Sequence, residues 1–185
     1  MVRSAAKVFA EKGFSSATVR DIADGLVLIE NGSITAVGDH SVLQGNLPRG
    51  TVVYEHPGCL VMPGLIDTHI HYSQVQVIAS YGAQLLEWLQ KYTFVEEQKF
   101  GDPAHAAVHA RFFLDELLRN GTTTAVVYCT VHPGSVDAFF SEARARRMRM
   151  LAGKVLMDRN APAGLTDTAE GGYRDSKALI GRWHG

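Results

Sequence analysis

The chain has 185 residues, of which 46% are hydrophobic and 20% are charged, and its formal net charge is -1. This composition supports a buried core, either of one domain or of part of a larger one. The near-neutral charge provides no field that would hold a nucleic acid backbone or an anionic membrane surface. We therefore expect a small-molecule ligand and no nucleic-acid partner.

The sequence gives no sign of secretion or of membrane association. The N-terminal region lacks the apolar core of a signal peptide, and no stretch approaches the roughly 18 to 20 apolar residues of a membrane span. The two cysteines, Cys59 and Cys129, stand outside any Cys-x-x-Cys pattern, which is typical of a reduced protein in which they are buried as small hydrophobes. We expect a cytoplasmic protein.

The N-terminal third predicts short helices followed by a hairpin. Residues 4–12 have helical spacing and residues 16–23 offer a second helical start. Residues 26–37 then contain two β-branched runs about the pair Asn31-Gly32, which tolerates the positive φ angles of a type I′ turn. This hairpin is the most specific local prediction in the sequence.

The remaining sequence alternates strands and helices. A strand is predicted over residues 65–71 and is separated from the next by a long insertion, residues 73–101. After it come a helix begun by Asp102-Pro103, a strand over 122–129, a helix over 135–147, a strand over 148–157, and a helix opened by a capping box of Asp167 and Glu170. This order predicts a parallel sheet with right-handed crossovers.

His69 and His71 stand two residues apart on the first of these strands. Residues i and i+2 of a strand point to the same face, so the two imidazoles would converge on one point. Zinc favours such nitrogen ligands. Because a His-x-His pair also occurs in strands by chance, the surrounding sequence has to decide between a metal site and a structural pair.

The surrounding sequence carries a resemblance to a known family. The run VMPGLIDTHIH at 61–71 resembles the first barrel strand of the amidohydrolase superfamily, in which P-G-x-x-D-x-H-x-H supplies two metal ligands. Other runs resemble the guanine deaminases of that superfamily across residues 25–185; they are HYSQ at 71–74, YGAQLLEWLQKYTF at 81–94, NGTTTA at 120–125, TVHP at 130–133 and KVLMDRNAP at 154–162.

The resemblance implies an α/β fold. We expect an incomplete (β/α)8 barrel, comprising its first three β/α units, preceded by part of a small β-sandwich domain and a short N-terminal helical segment. The corresponding segments are residues 1–24, a helical segment that does not share this resemblance; residues 25–64, the partial β-domain; and residues 65–185, the partial metal-dependent hydrolase barrel.

The resemblance also implies a reaction, the hydrolytic deamination of guanine to xanthine and ammonia in purine catabolism. The cofactor would be Zn²⁺, in preference to Fe²⁺, with His69 and His71 as ligands, and complete family members would be homodimers. Gln74 would contact the substrate at the carboxyl-end mouth of the barrel, the alternative being a solvated loop glutamine. Trp88 could stack on the purine or pack in the core, and His132 is given no catalytic role.

The family's remaining functional residues are two histidine ligands, a glutamate for proton transfer and an aspartate that serves as ligand and base, all on later strands. No motif for them occurs among the 185 residues. We therefore expect the isolated chain to have negligible deaminase activity and to aggregate through uncovered sheet edges.

Residues 4–23, SAAKVFAEKGFSSATVRDIA, bear a different resemblance, to the first helices of TetR-type transcriptional regulators. A DNA-reading module of that type needs a recognition helix, but Asp24-Gly25 leads directly into the hairpin. We interpret the segment as a fusion or a remnant. Three alternatives stay open: a TetR-like DNA-binding fragment, an amidohydrolase acting on another aromatic heterocycle, and a non-catalytic interaction module.

Overall fold

The computed structural model describes residues 24–82 and 84–184. It divides into two compact units, the first ending at Pro63 and the second beginning at Gly64. The helices predicted over residues 4–12 and 16–23, and with them the TetR-like segment, lie outside the described residues.

The first unit contains the predicted hairpin. Strands β1 (Gly25–Glu30) and β2 (Ser33–Asp39) pair antiparallel. Asn31 has φ 50° and Gly32 has φ 77°, so both central residues adopt the left-handed conformation that a type I′ turn requires. The hairpin prediction is therefore confirmed. A single-turn helix, α1 (His40–Leu43), follows.

The described residues of the first unit form less than the expected β-sandwich. Residues 47–63 contain no helix or strand, so the described part of this unit, from residue 24 onward, holds one two-stranded sheet. A sandwich needs a second sheet against which the first can bury a face. The assignment of residues 25–64 to such a domain stays a prediction.

The second unit is an α/β layer with a parallel sheet. Its strands are β3 (Leu65–His71), β4 (Thr122–Tyr128) and β5 (Arg149–Gly153), in the order β3-β4-β5. The long insertion after β3 forms α2 (Leu85–Trp88), a π-helical turn (Leu89–Thr93) and α3 (Phe94–Gln98). The other helices are α4 (Pro103–Arg119), α5 (Pro133–Ala145) and α6 (Ala169–Trp183). The predicted α/β order and the parallel sheet are confirmed.

Two local predictions are corrected. The N-cap of α6 is Thr168, whose hydroxyl accepts a hydrogen bond from Gly171 N at 3.0 Å, and not Asp167. The Asp167 carboxylate instead accepts from Lys154 Nζ and from Thr168 N. Strand β5 ends at Gly153 rather than at residue 157, although one further hydrogen bond, from Val155 N to Thr130 O, continues the alignment with the preceding strand.

The core of this unit lies between the sheet and helices α4 and α5. Tyr72, directly after β3, is fully buried, and its hydroxyl donates to Ser135 O at 2.6 Å. This bond ties the carboxyl end of β3 to the first turn of α5. The aromatic rings packed around Tyr72 belong to Phe100, Phe113 and Phe139.

Cys129 is buried as predicted, whereas Cys59 is exposed, so the prediction of burial is wrong for Cys59.

Strands β3 and β5 form the edges of the three-stranded sheet, and Ile66 and Leu151 on them are 68% and 55% exposed. Within residues 24–82 and 84–184, no helix has the length and apolar character needed to cross a bilayer.

Candidate metal and substrate site

His69 and His71 lie at the carboxyl end of β3, the edge of a parallel sheet at which active sites of α/β proteins form. Their Nε2 atoms are 3.3 Å apart and their ring centroids are 5.3 Å apart. The expected convergence of the two imidazoles is therefore present. The backbone N–H of His69 also donates to Asp67 Oδ1 at 3.0 Å, which holds the strand end.

The separation of the two Nε2 atoms fits a shared zinc ion. A tetrahedral zinc with Zn–N bonds of about 2.0 to 2.1 Å holds two ligand nitrogens about 3.3 to 3.4 Å apart. In the described part of the chain, no third histidine, cysteine, aspartate or glutamate joins the pair to form a group of three or more. The histidines thus match two of the ligands of a tetrahedral site.

Tyr128 packs against both histidines. It is the last residue of β4, aligned with His71 in the parallel register, and its ring centroid is 4.7 Å from that of His71, with the two planes 14° apart. The centroid of the His69 ring is 4.6 Å away. Tyr128 is not among the residues predicted from sequence, although its place at the end of the neighbouring strand was a usable signal.

The surroundings favour the neutral form of His71. Burial, and to a smaller extent the positive charge that His69 can carry, lower the pKa of the His71 imidazole. A neutral imidazole is the form that binds a metal. The Nδ1 atom of His71 is buried and has no hydrogen-bond partner among the described residues.

Gln74 lies in the 3-10 turn that directly follows β3 (Tyr72–Val77) and is half-buried. Its Nε2 donates to Glu97 Oε1 at 3.4 Å, and the buried Ser73 hydroxyl donates to the same oxygen at 3.1 Å. Glu97, on α3, is only 4% exposed. Burial raises the pKa of its carboxyl group, and the hydrogen bonds from Gln74 and Ser73 act in the opposite direction.

Trp88 ends α2 and is half-buried. Its neighbours Leu85 and Leu86 are 69% and 73% exposed, so these two side chains do not pack in the core. No ring–ring contact joins Trp88 to the histidines within residues 24–82 and 84–184. The role of Trp88 at the substrate stays a prediction.

Two further groups follow β4 and β5 at the same edge of the sheet. Lys154, directly after β5, has a side chain that is 1% exposed and pairs with Asp167 and, at 3.5 Å, with Asp175. His132 precedes α5, and burial together with the positive charge of Lys154 lowers the pKa of its imidazole. Asp158 and Arg159, farther along the loop, are exposed.

Comparison with known proteins places these features in a family. The sequence model of the Amidohydrolase family matches residues 60–183. The chain is 50% identical over 169 residues to guanine deaminase of Escherichia coli K12, a match that covers 91% of this chain and 38% of that protein.

Two solved structures resemble this chain closely. The structure of E. coli guanine deaminase has a TM-score of 0.83 at 51% identity, covering 86% of this chain and 37% of that one. A guanine deaminase structure from C. acetobutylicum, described with bound guanine in the active site, has a TM-score of 0.75 at 29% identity and covers 86% and 38% of the two chains. The chain therefore spans less than two fifths of the length of these relatives.

The matches do not support the regulator resemblance of residues 4–23. The family match begins at residue 60, and the relatives above are deaminases. The TetR interpretation is not borne out.

Proposed function

The chain belongs to the amidohydrolase family, and we propose that the complete gene product containing it is a guanine deaminase. The observation that carries the proposal is the pair of converging imidazoles, His69 and His71, at the end of β3, with Gln74 three residues later. That arrangement occurs in a chain half of whose aligned residues are identical to those of E. coli guanine deaminase. The reaction would be guanine plus water giving xanthine plus ammonia.

We propose that β3, β4 and β5 are the first three strands of a (β/α)8 barrel. Their parallel order, and the helix α4 or α5 that links each strand to the next, are what such a barrel requires. The likeness to the E. coli structure supports the same assignment. Barrel closure and the partial β-domain formed by residues 25–64 are parts of the proposal.

In this proposal His69 and His71 hold a zinc ion. The 3.3 Å separation of their Nε2 atoms suits two ligands of one tetrahedral ion, and the lowered pKa of His71 keeps that ring in its ligand form. Bound zinc would lower the pKa of a coordinated water and thereby supply the nucleophile near neutral pH. Tyr128, in contact with both rings, would restrict their rotation.

Gln74 is proposed to bind the purine. Its carboxamide can donate and accept hydrogen bonds at once, which suits the mixed donors and acceptors along the edge of guanine. Trp88 is proposed as a second contact, through stacking on the purine ring. The bound guanine described for the C. acetobutylicum enzyme supports guanine as the substrate.

The chain spans 38% of the length of E. coli guanine deaminase, so the proposal concerns the complete gene product. The family's other metal ligands and proton-transfer groups would come from later strands of the barrel. A homodimer and the preference for zinc over iron belong to the same proposal.

The test is a substrate panel. The complete gene product, purified with zinc, is assayed for ammonia release from guanine, adenine, cytosine and an amino-substituted triazine. We expect guanine to have the highest kcat/KM and to yield xanthine, and His71→Ala to abolish the conversion. Preferred turnover of another heterocycle would instead support the alternative of a related amidohydrolase with different specificity.

A further inference from the structure

Glu97 is a buried carboxylate with no basic partner among the described residues. It is 4% exposed, and its two hydrogen-bond donors are Ser73 and Gln74. Both donors belong to the turn directly after His71, whereas Glu97 belongs to α3, more than 20 residues farther along the chain. The preceding residue, Glu96, differs because it pairs with Lys99 at 2.6 Å.

A carboxylate at this place has a consequence that a neutral side chain would not have. An ionised carboxylate only accepts hydrogen bonds, so it selects the N–H end of the Gln74 carboxamide. A glutamine without such a partner can present either its oxygen or its nitrogen to a ligand, because the two orientations are nearly equal in shape. Glu97 therefore leaves the Gln74 carbonyl oxygen as the free end of the amide.

Ser73 contributes to the same arrangement. Its hydroxyl, fully buried, donates to the same carboxylate oxygen as Gln74. The two donors partly counter the burial that raises the pKa of Glu97, since each favours the charged form. The turn and α3 are thus joined through one oxygen atom.

We infer that Glu97 is a positioning residue for substrate: it holds the carboxamide of Gln74 so that the carbonyl oxygen accepts a hydrogen bond from an N–H group of the purine. This inference rests on the proposed function and on the proposed contact between Gln74 and guanine. It assigns a task to a residue that does not itself touch the substrate.

A double-mutant cycle in the complete gene product tests the inference. Glu97→Met removes the acceptor at similar side-chain length, and Gln74→Ala removes the group on which Glu97 acts. With Gln74 present, we expect Glu97→Met to lower kcat/KM for guanine about tenfold, mostly through KM, because one substrate hydrogen bond loses its orientation. In the Gln74→Ala background, we expect the same substitution to change kcat/KM less than about twofold.

A merely structural role would behave differently, since Glu97→Met would then cause equal losses in both backgrounds, and that result would overturn the inference. Glu97→Gln serves as the second variant in case methionine disturbs folding. It keeps an acceptor oxygen, and we expect a smaller loss that likewise disappears in the Gln74→Ala background. Glu96→Gln, on the same helix but facing Lys99, is the matched control and should match the wild type.

Guanine turnover by the wild-type protein separates a failure of the proposed function from a failure of the role assigned to Glu97. If the wild-type protein with zinc bound converts no guanine, the proposed function is wrong and the inference fails with it. If guanine is converted but the effects of the Glu97 and Gln74 substitutions on kcat/KM simply multiply, the inference alone is wrong. Zinc content and melting temperature, measured for every variant, identify losses that arise from misfolding.

Discussion

Replacing Asp167 by asparagine should loosen the segment that follows β5. The Lys154 side chain is 1% exposed, and its ammonium group pairs with Asp167 and, at 3.5 Å, with Asp175. The hydrogen bond from Lys154 is the main cause that lowers the pKa of the Asp167 carboxyl group. Asp167→Asn leaves a buried ammonium group with only the more distant of its two carboxylates.

The free-energy cost of Asp167→Asn follows from the burial of the Lys154 ammonium group and from its second partner, Asp175. Removing one partner of a buried ion pair costs about 3 to 5 kcal/mol, and the remaining Asp175 places this case near the lower value. Because each 1.4 kcal/mol is a factor of ten, local opening should become about 100-fold more frequent. Hydrogen–deuterium exchange of the complete gene product reports this opening at Asp167 N, which donates to Met157 O at 2.6 Å.

Asp158→Asn is the matched control. Asp158 and its partner Arg159 have side chains that are 59% and 82% exposed, so the substitution should leave exchange in this segment unchanged. Equal exchange in Asp167→Asn and in the wild type would refute the reasoning, because it would mean that the buried ammonium group needs no second carboxylate.

The effect of Asp167→Asn should also depend on pH. Since the pKa of Asp167 is lower in the folded state, its contribution is fully present above the ordinary carboxyl pKa of about 3.9 and is lost as pH falls through the folded-state value. The difference in melting temperature between wild type and Asp167→Asn should therefore be constant near neutral pH and should shrink in acid. A difference that grows on acidification would contradict this sign.

Three further substitutions have expected outcomes. Tyr128→Leu should weaken zinc binding about 10- to 100-fold. Tyr128→Phe should leave zinc affinity unchanged, because the ring rather than the hydroxyl contacts the two imidazoles. A competition titration with a chelator measures the zinc affinity of each variant. Phe139→Ala should destabilise the protein by about 3 to 5 kcal/mol, as a fully buried ring, whereas Phe112→Ala, 52% exposed, should cost much less in a urea-unfolding comparison. Gly64→Ala should lower the melting temperature, because a Cβ there would overlap the Thr123 side chain.

The predictions that the structure confirms depend on local sequence. The turn at Asn31-Gly32 was predictable because a type I′ turn needs residues that tolerate positive φ. The start of α4 was predictable because Asp102 accepts a hydrogen bond from the first turn of its own helix, from Ala104 N at 2.9 Å. The convergence of His69 and His71 follows from the two-residue period of a strand.

The features that were missed depend on contacts between distant residues. The residues around Asp167 predict a helix cap, but the Asp167 carboxylate accepts a hydrogen bond from Lys154, thirteen residues earlier. The bond between Gln74 and Glu97 links residues 23 apart, and no local pattern indicates which glutamate of the insertion turns inward. Such pairings are decided by how α3 packs beside the turn after β3, which the sequence pattern does not specify.

The central claim is that His69 and His71 hold the zinc of a guanine deaminase. The most direct test is a crystal structure of the active, complete gene product with anomalous diffraction recorded on both sides of the zinc absorption edge. We expect one zinc peak at a distance of about 2.0 to 2.1 Å from the Nε2 atom of each of His69 and His71. A zinc peak elsewhere, in a protein that deaminates guanine at full rate, would contradict the account.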